Sequence, residues 1–160
     1  MAGHTEPEVA MPDARQRLMP AGHWDWHVPT PFSQGWRVGS MVFVGGQLSL
    51  DEDGEVVGAG DIEVQTRNAF ANLGKVLAAA GATWNDVVKI NTYYVFDGDR
   101  ADAQAYWAKM TRVRMEFLPD PGPCGTGVRV EGLMYDGLLI EVEAIAIVDG
   151  ASERDGAGPT

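Results

Sequence analysis

Two glutamates, Glu141 and Glu143, sit two apart in the apolar run 138–148, LLIEVEAIAIV. A strand of period two puts them on one face with Leu139, Ile145 and Ile147, leaving Leu138, Ile140, Val142, Ala144 and Ala146 on the other. A strand that is apolar on both faces is buried on both, so a carboxyl there loses solvation. Its pKa then rises, which suits it to carrying a proton. The plainer alternative is that the glutamates pair with Lys89 or Arg129 on neighbouring strands, or face solvent at a sheet edge. Cys124, in Pro-Gly-Pro-Cys-Gly-Thr-Gly, could present a thiol beside free backbone amides. All three histidines, His4, His23 and His27, lie in the N-terminal segment, so a Cys–His pair needs that segment to fold back, and an inert cysteine is the simpler reading. Gly45-Gly46 closes a strand where a ligand or another backbone could approach closely.

Neither metal nor nucleotide chemistry is indicated. His23 and His27 have helical ligand spacing, but Pro29 and Pro31 oppose a helix, and Trp24-Asp25-Trp26 reads as an aromatic docking segment. Asp51-Glu52-Asp53-Gly54 lacks the spacing of a calcium loop and reads as a surface turn. There is no phosphate-loop or dinucleotide glycine pattern, so no cofactor is implied.

The elements that must position these residues follow from periodicity. Gly39-Ser40 turns between strands at about 35–38 and 41–48. Apolar residues recur three and four apart from 62 to 80 and Gly81 follows, which predicts a helix with a glycine end. Residues 87–95, VVKINTYYV, form a strand, 99–117 a second helix ended by Pro119 to Pro123, and 126–133 and 138–148 two last strands joined through Tyr135-Asp136-Gly137. The order ββαβαββ, with a hairpin at each end, predicts an α+β fold, a mixed sheet with both helices on one face. Its other face needs a cover. Residues 1–21 and 150–160 read as flexible tails around a single domain, 22–149, and a chain of 160 residues suffices for one core.

Twelve basic against 23 acidic residues give a net charge of −11, which repels phosphate backbones and anionic lipid, so neither nucleic acid nor membrane is an expected partner. The single cysteine suits a reducing cytoplasm, the N-terminus lacks the pattern of a secretory signal, and no stretch reaches the roughly 18–20 apolar residues of a membrane span.

Three stretches together, PFSQGWRVGSMVFVGGQLSLDEDGEVV, QTRNAFANLGKVLAAAGATWNDVVKINTYYV and LLIEVEAIAIV, resemble the reactive-intermediate deaminase (Rid, YjgF-type) superfamily, also labelled endoribonuclease L-PSP. The resemblance covers about residues 30–148. It implies a chorismate-mutase-like fold, a homotrimer with sheets packed inward, and small-molecule clefts at the subunit interfaces. It also implies a hydrolase of imines or enamines, in which a last-strand glutamate works with water and an arginine grips the substrate carboxylate. The glutamate falls on Glu141 as general acid/base, and the strand-end glycine on Gly46. Three positions depart: the loop tyrosine is Phe32, before Ser33; the serine before the strand-end glycine is Gly45; and the arginine falls on Gly125. Loss of a bidentate contact worth about 1.5–3 kcal/mol argues against ordinary 2-imino acids. Arg129, further along the strand, could replace it only in another ligand pose, and Phe32, Trp36, Cys124 and Gly125 predict a less cationic, more apolar cleft. Two functions follow: a deaminase-like hydrolase of a small enamine, imine or related reactive metabolite, or a noncatalytic trimeric module binding a metabolite or a protein.

Overall fold

The apolar spacing after Asp61 forms helix α1, Ile62–Ala79, in a computed structural model that describes residues 15–148. Asp61 caps it by accepting from the backbone N–H groups of Glu63 and Val64, and Gly81, at φ 71°, turns the chain beyond its end. Helix α2, Arg100–Arg114, is capped likewise by Asp99, which accepts from Ala101 and Asp102. α1 buries Phe70, Leu73, Val76 and Leu77, and α2 adds Met110 and Val113 to the buried side.

Six strands make one mixed sheet: β1 (Arg15–Leu18), β2 (Gly35–Val38), β3 (Met41–Leu48), β4 (Val87–Val95), β5 (Cys124–Val130) and β6 (Ile140–Ile147). Their spatial order is β1-β2-β3-β6-β4-β5. All pairs are antiparallel except β4–β5, which α2 joins as a parallel crossover. Ile140, Val142, Ala144 and Ala146 of β6 enter the core beneath the helices. Glu141, Glu143, Ile145 and Ile147 take the other face, as the alternation requires.

Two expectations are corrected. Arg15–Leu18, inside the segment read as a flexible tail, is strand β1, paired with β2 and anchored by fully buried Leu18. Four residues with one apolar side chain carry too little periodicity to be read as a strand; β2 supplies the missing hydrogen bonds. Residues 1–14 and 150–160 of the expected tails lie outside the described residues, as does residue 149 at the end of the expected domain. The last two strands are not a hairpin either. β5 is a sheet edge, and β6 enters between β3 and β4. The connection over 131–139 is held away from a tight turn: Leu133, Tyr135 and Leu138 pack with Trp24 and Leu48. Gln65 of α1 fastens its end, donating to Gly58 O and Gly137 O at 3.1 and 2.6 Å and accepting from Leu139 N–H at 2.7 Å. That anchor fixes the start of β6 two residues before Glu141.

The face away from the helices is only partly covered in the single chain. Across it run Trp36, Phe43 and Ile145 in one row and Val38, Met41 and Ile147 in the next. Trp36, Met41, Phe43 and Ile147 are 40–41% exposed, an apolar surface that a solitary chain leaves in water.

Candidate functional site

The site grows from a defect in β3. Val44 pairs with Ala144, but the next paired residue is Gln47, opposite Val142, so Gly45 and Gly46 both stand against Glu143. This is a β-bulge. Gln34 and Gln47, both fully buried, hold it: Gly45 N–H donates to Gln34 O at 2.9 Å, and Gln47 Nε2 donates to Gly45 O at 3.1 Å and Gln34 Oε1 at 2.9 Å. Gln34 Nε2 in turn donates to Trp24 O at 2.6 Å, linking the bulge to the aromatic segment.

Glu141 lies directly against the bulge. A Cβ at Gly46 would stand 1.8 Å from Glu141 Oε1, so only glycine leaves room for the carboxyl in this position. Burial raises the Glu141 pKa above the usual carboxylate range, and repulsion from Glu143 adds to it. No donor among the described residues bonds the Glu141 carboxyl. Glu143 is held differently, with Oε1 accepting from Asn91 Nδ2 at 2.7 Å and Tyr93 Oη at 3.2 Å. The Glu143 carboxylate, more than burial, raises the Tyr93 pKa and keeps that hydroxyl a donor. The pair is therefore split into one carboxyl engaged by donors and one left free for a ligand or water.

Beside the pair opens a cleft of about 320 Å³, with Ser33, Trp36, Gly45, Lys89, Asn91 and Glu143 on its walls. Glu141 is one pleat further along the same face. Alternation in β4 puts Lys89, Asn91 and Tyr93 on this face too, opposite Ile145, Glu143 and Glu141. Sequence reasoning missed Asn91 and Tyr93, although the same period-two pattern in 87–95 carries that signal.

The endoribonuclease L-PSP family model matches residues 26–148. The chain belongs to this family. A RutC family protein of Pyrococcus abyssi is 41% identical over 117 residues, covering 72% of this chain and 85% of its own. The mitochondrial protein mmf1 of Schizosaccharomyces pombe is 34% identical over 119 residues, 73% of this chain and 68% of its own. Among solved structures, RidA from an Antarctic Psychrobacter matches with a TM-score of 0.69 at 28% identity, covering 83% of this chain and 99% of RidA. E. coli TdcF, crystallised with bound serine, matches with a TM-score of 0.69 at 25% identity, covering 84% of this chain and 99% of TdcF.

Within this L-PSP-family frame the residues singled out by sequence divide into two groups. Glu141, Gly45, Gly46 and Ser33 come together on the open face. Cys124 is on that face as well, exposed and paired with Lys89, its Sγ donating to Val88 O at 3.2 Å. Phe32 does not enter the cleft; it stacks on Trp24 at 5.6 Å and meets Trp26 edge-on at 5.6 Å. Trp24 is itself buried, as a docking segment requires, while His23, packed beside it, approaches Trp24 O and Asn72 O at 3.2 and 3.3 Å. Gly125 and Arg129 sit on the opposite, helix-covered side of β5, where Arg129 bonds Gly98 O at 3.1 Å and lies over the Phe96 ring. Within one chain neither shares a face with Glu141.

Two cations lie near this cleft. Lys89 is on its wall, and Arg17 of β1 donates to Ser33 Oγ at 2.9 Å and to Phe32 O. Both cations come from strands whose alternation, not whose motif, places them there.

Proposed function

We propose that this L-PSP-family protein is a Rid-type hydrolase of a small enamine, imine or related reactive metabolite, with Glu141 as its general acid/base. The observation that carries the reading is the Glu141 carboxyl itself: desolvated, pushed up in pKa, unbonded by the protein and fitted against Gly46. In the reaction, Glu141 takes a proton from water as the oxygen attacks the carbon of the protonated imine. Glu141 returns that proton to the nitrogen of the resulting carbinolamine, and as the C–N bond breaks the hydroxyl gives its own proton to Glu141, leaving a carbonyl and releasing ammonia. An enamine is first protonated at carbon to enter the same route. Ser33, Asn91 and Lys89 line the adjoining cleft and supply polar contacts for a ligand. Serine bound to TdcF supports a small polar metabolite as the ligand class. Reducing cytoplasm suits the single thiol.

The working form in this reading is a homotrimer with its clefts at subunit interfaces. The exposed row Trp36, Met41, Phe43 and Ile147 supports burial of the open face against other copies. Phe43→Asp is expected to convert a trimer into monomers in sedimentation at low micromolar concentration. An unchanged trimer would remove this face from the interface.

The test of the function is ammonia release from freshly generated 2-aminoacrylate and 2-iminopropionate, and amine release from small imines without a carboxylate. The neutral imines are expected to be hydrolysed faster than in buffer, and faster than the 2-imino acids relative to their uncatalysed rates. Gly125, standing where the resemblance implies a carboxylate-gripping arginine, favours a second reading, a noncatalytic binding module. Absence of acceleration across the whole panel favours that module.

A further inference from the structure

On the helix side of the sheet edge, far along α2 from its cap, Arg114 is half-buried over strand β5. Its guanidinium carbon lies 5.6 Å from the centre of the Trp107 ring. Nothing on β5 fills the space beneath them. A Cβ at Gly127 would come within 2.6 Å of the Trp107 ring, and one at Gly125 would stand 3.9 Å from Arg114 NH2 and 3.2 Å from Ile90 O. Gly127 thus lets the Trp107 ring settle on bare backbone, and Arg114 reaches over Gly125 beside it.

Among the described residues the arginine has no ion-pair partner. The ion pairs among the described residues are Arg67–Glu116 and Arg112–Glu63, so the neighbouring arginine of α2 is neutralised while Arg114 is not. Burial also lowers the Arg114 pKa, the direction expected of a cation that has lost water without gaining an anion. Beside it runs an open groove walled by Thr111, Met115, Leu118, Pro119 and Asp120. Thr111 spends its hydroxyl proton on Trp107 O at 3.0 Å, leaving Arg114 as the groove's strong donor.

We propose that Arg114 and Trp107, seated over Gly125 and Gly127, form a binding site for the carboxylate of a small organic acid. The planar guanidinium offers a carboxylate two parallel N–H donors, and its place on the indole face holds that fork in one orientation. Met115, Leu118 and Pro119 give a short alkyl chain an apolar wall, and Asp120 on the rim disfavours a second negative charge. The site therefore selects monocarboxylates over phosphate. It lies on the opposite face of its own chain from Glu141 and is independent of catalysis there.

The experiment is a titration of the full chain with butanoate, butanamide and inorganic phosphate, followed by NMR at the Arg114 Nε–H and the indole N–H groups. Butanoate is expected to shift the Trp107 and Arg114 signals saturably, with phosphate weaker and butanamide inert. Arg114→Gln should weaken butanoate binding about ten-fold or more, Arg114→Lys should recover only part, and Arg112→Gln, which removes the same charge from the same helix, should leave it unchanged. Equal binding to wild type and Arg114→Gln would overturn the proposal. So would shifts confined to Trp36, phosphate binding tighter than butanoate, or butanamide binding as well as butanoate.

Discussion

Glu141→Gln is expected to reduce kcat/KM for imine hydrolysis by about 10²–10⁴-fold, the usual worth of a positioned acid/base group. The amide keeps nearly the same shape against Gly46, so the bulge, the cleft and the assembly stay in place. Stability should move in the opposite sense. A carboxyl whose folded pKa is raised adds stability fully below its unfolded pKa and loses it as pH rises through the folded value. Where that carboxyl is ionised, the wild type carries the cost of a desolvated charge beside Glu143, and the neutral amide removes it. The variant should melt no lower than wild type at pH 7, with any advantage shrinking as the pH is lowered below the carboxyl's range. Calorimetry across that range, run beside the ammonia assay, checks both halves. Inactivity with a large loss of melting temperature would make Glu141 a structural residue.

Gly46→Ala is expected to reach almost the same loss of turnover, about 10²-fold, without touching an ionisable group. Its added carbon would stand 1.8 Å from Glu141 Oε1 and 2.8 Å from Cδ, so the carboxyl must leave. Because the obstacle is the far end of a flexible side chain, the fold survives, with a cost of about 1–3 kcal/mol typical of overpacking. Misplacing a catalytic group by about 1 Å is enough for a 10²-fold effect. Gly45→Ala meets Gln34 O at 3.3 Å, a contact a small backbone shift relieves, and should cost less activity. Equal, near-wild-type rates in both variants would separate the bulge from the chemistry.

Much of this architecture was legible because it rests on period and punctuation. Asp61, the three-and-four spacing after it and Gly81 define α1, and the Gly39-Ser40 turn defines the β2–β3 hairpin. Glu141 and Glu143 could be placed on one face from alternation alone. What stayed hidden depended on long-range partners. β1 exists because β2 offers it hydrogen bonds. β6 leaves β5 because Gln65 and the Trp24 cluster hold the connection elsewhere. Phe32 looked like a cleft residue by position, yet Trp24 and Trp26 give its ring a better apolar surface than an open cleft does. The roles of Arg17 and Arg114 stayed hidden for the same reason. Arg17 and Arg114 lie in unremarkable local sequence, and only the sheet order and the lack of an ion-pair partner among the described residues give them a role.

Glu141's protonation can be read directly by following its side-chain carboxyl carbon through a pH titration of the 13C-labelled protein, assigned by its disappearance in Glu141→Gln. The account predicts a midpoint above the ordinary glutamate value of about 4.3, moving down towards that value when Glu143→Gln removes the second carboxylate. A midpoint at or below the ordinary value in the wild type would contradict the claim that this carboxyl is poised to carry the proton.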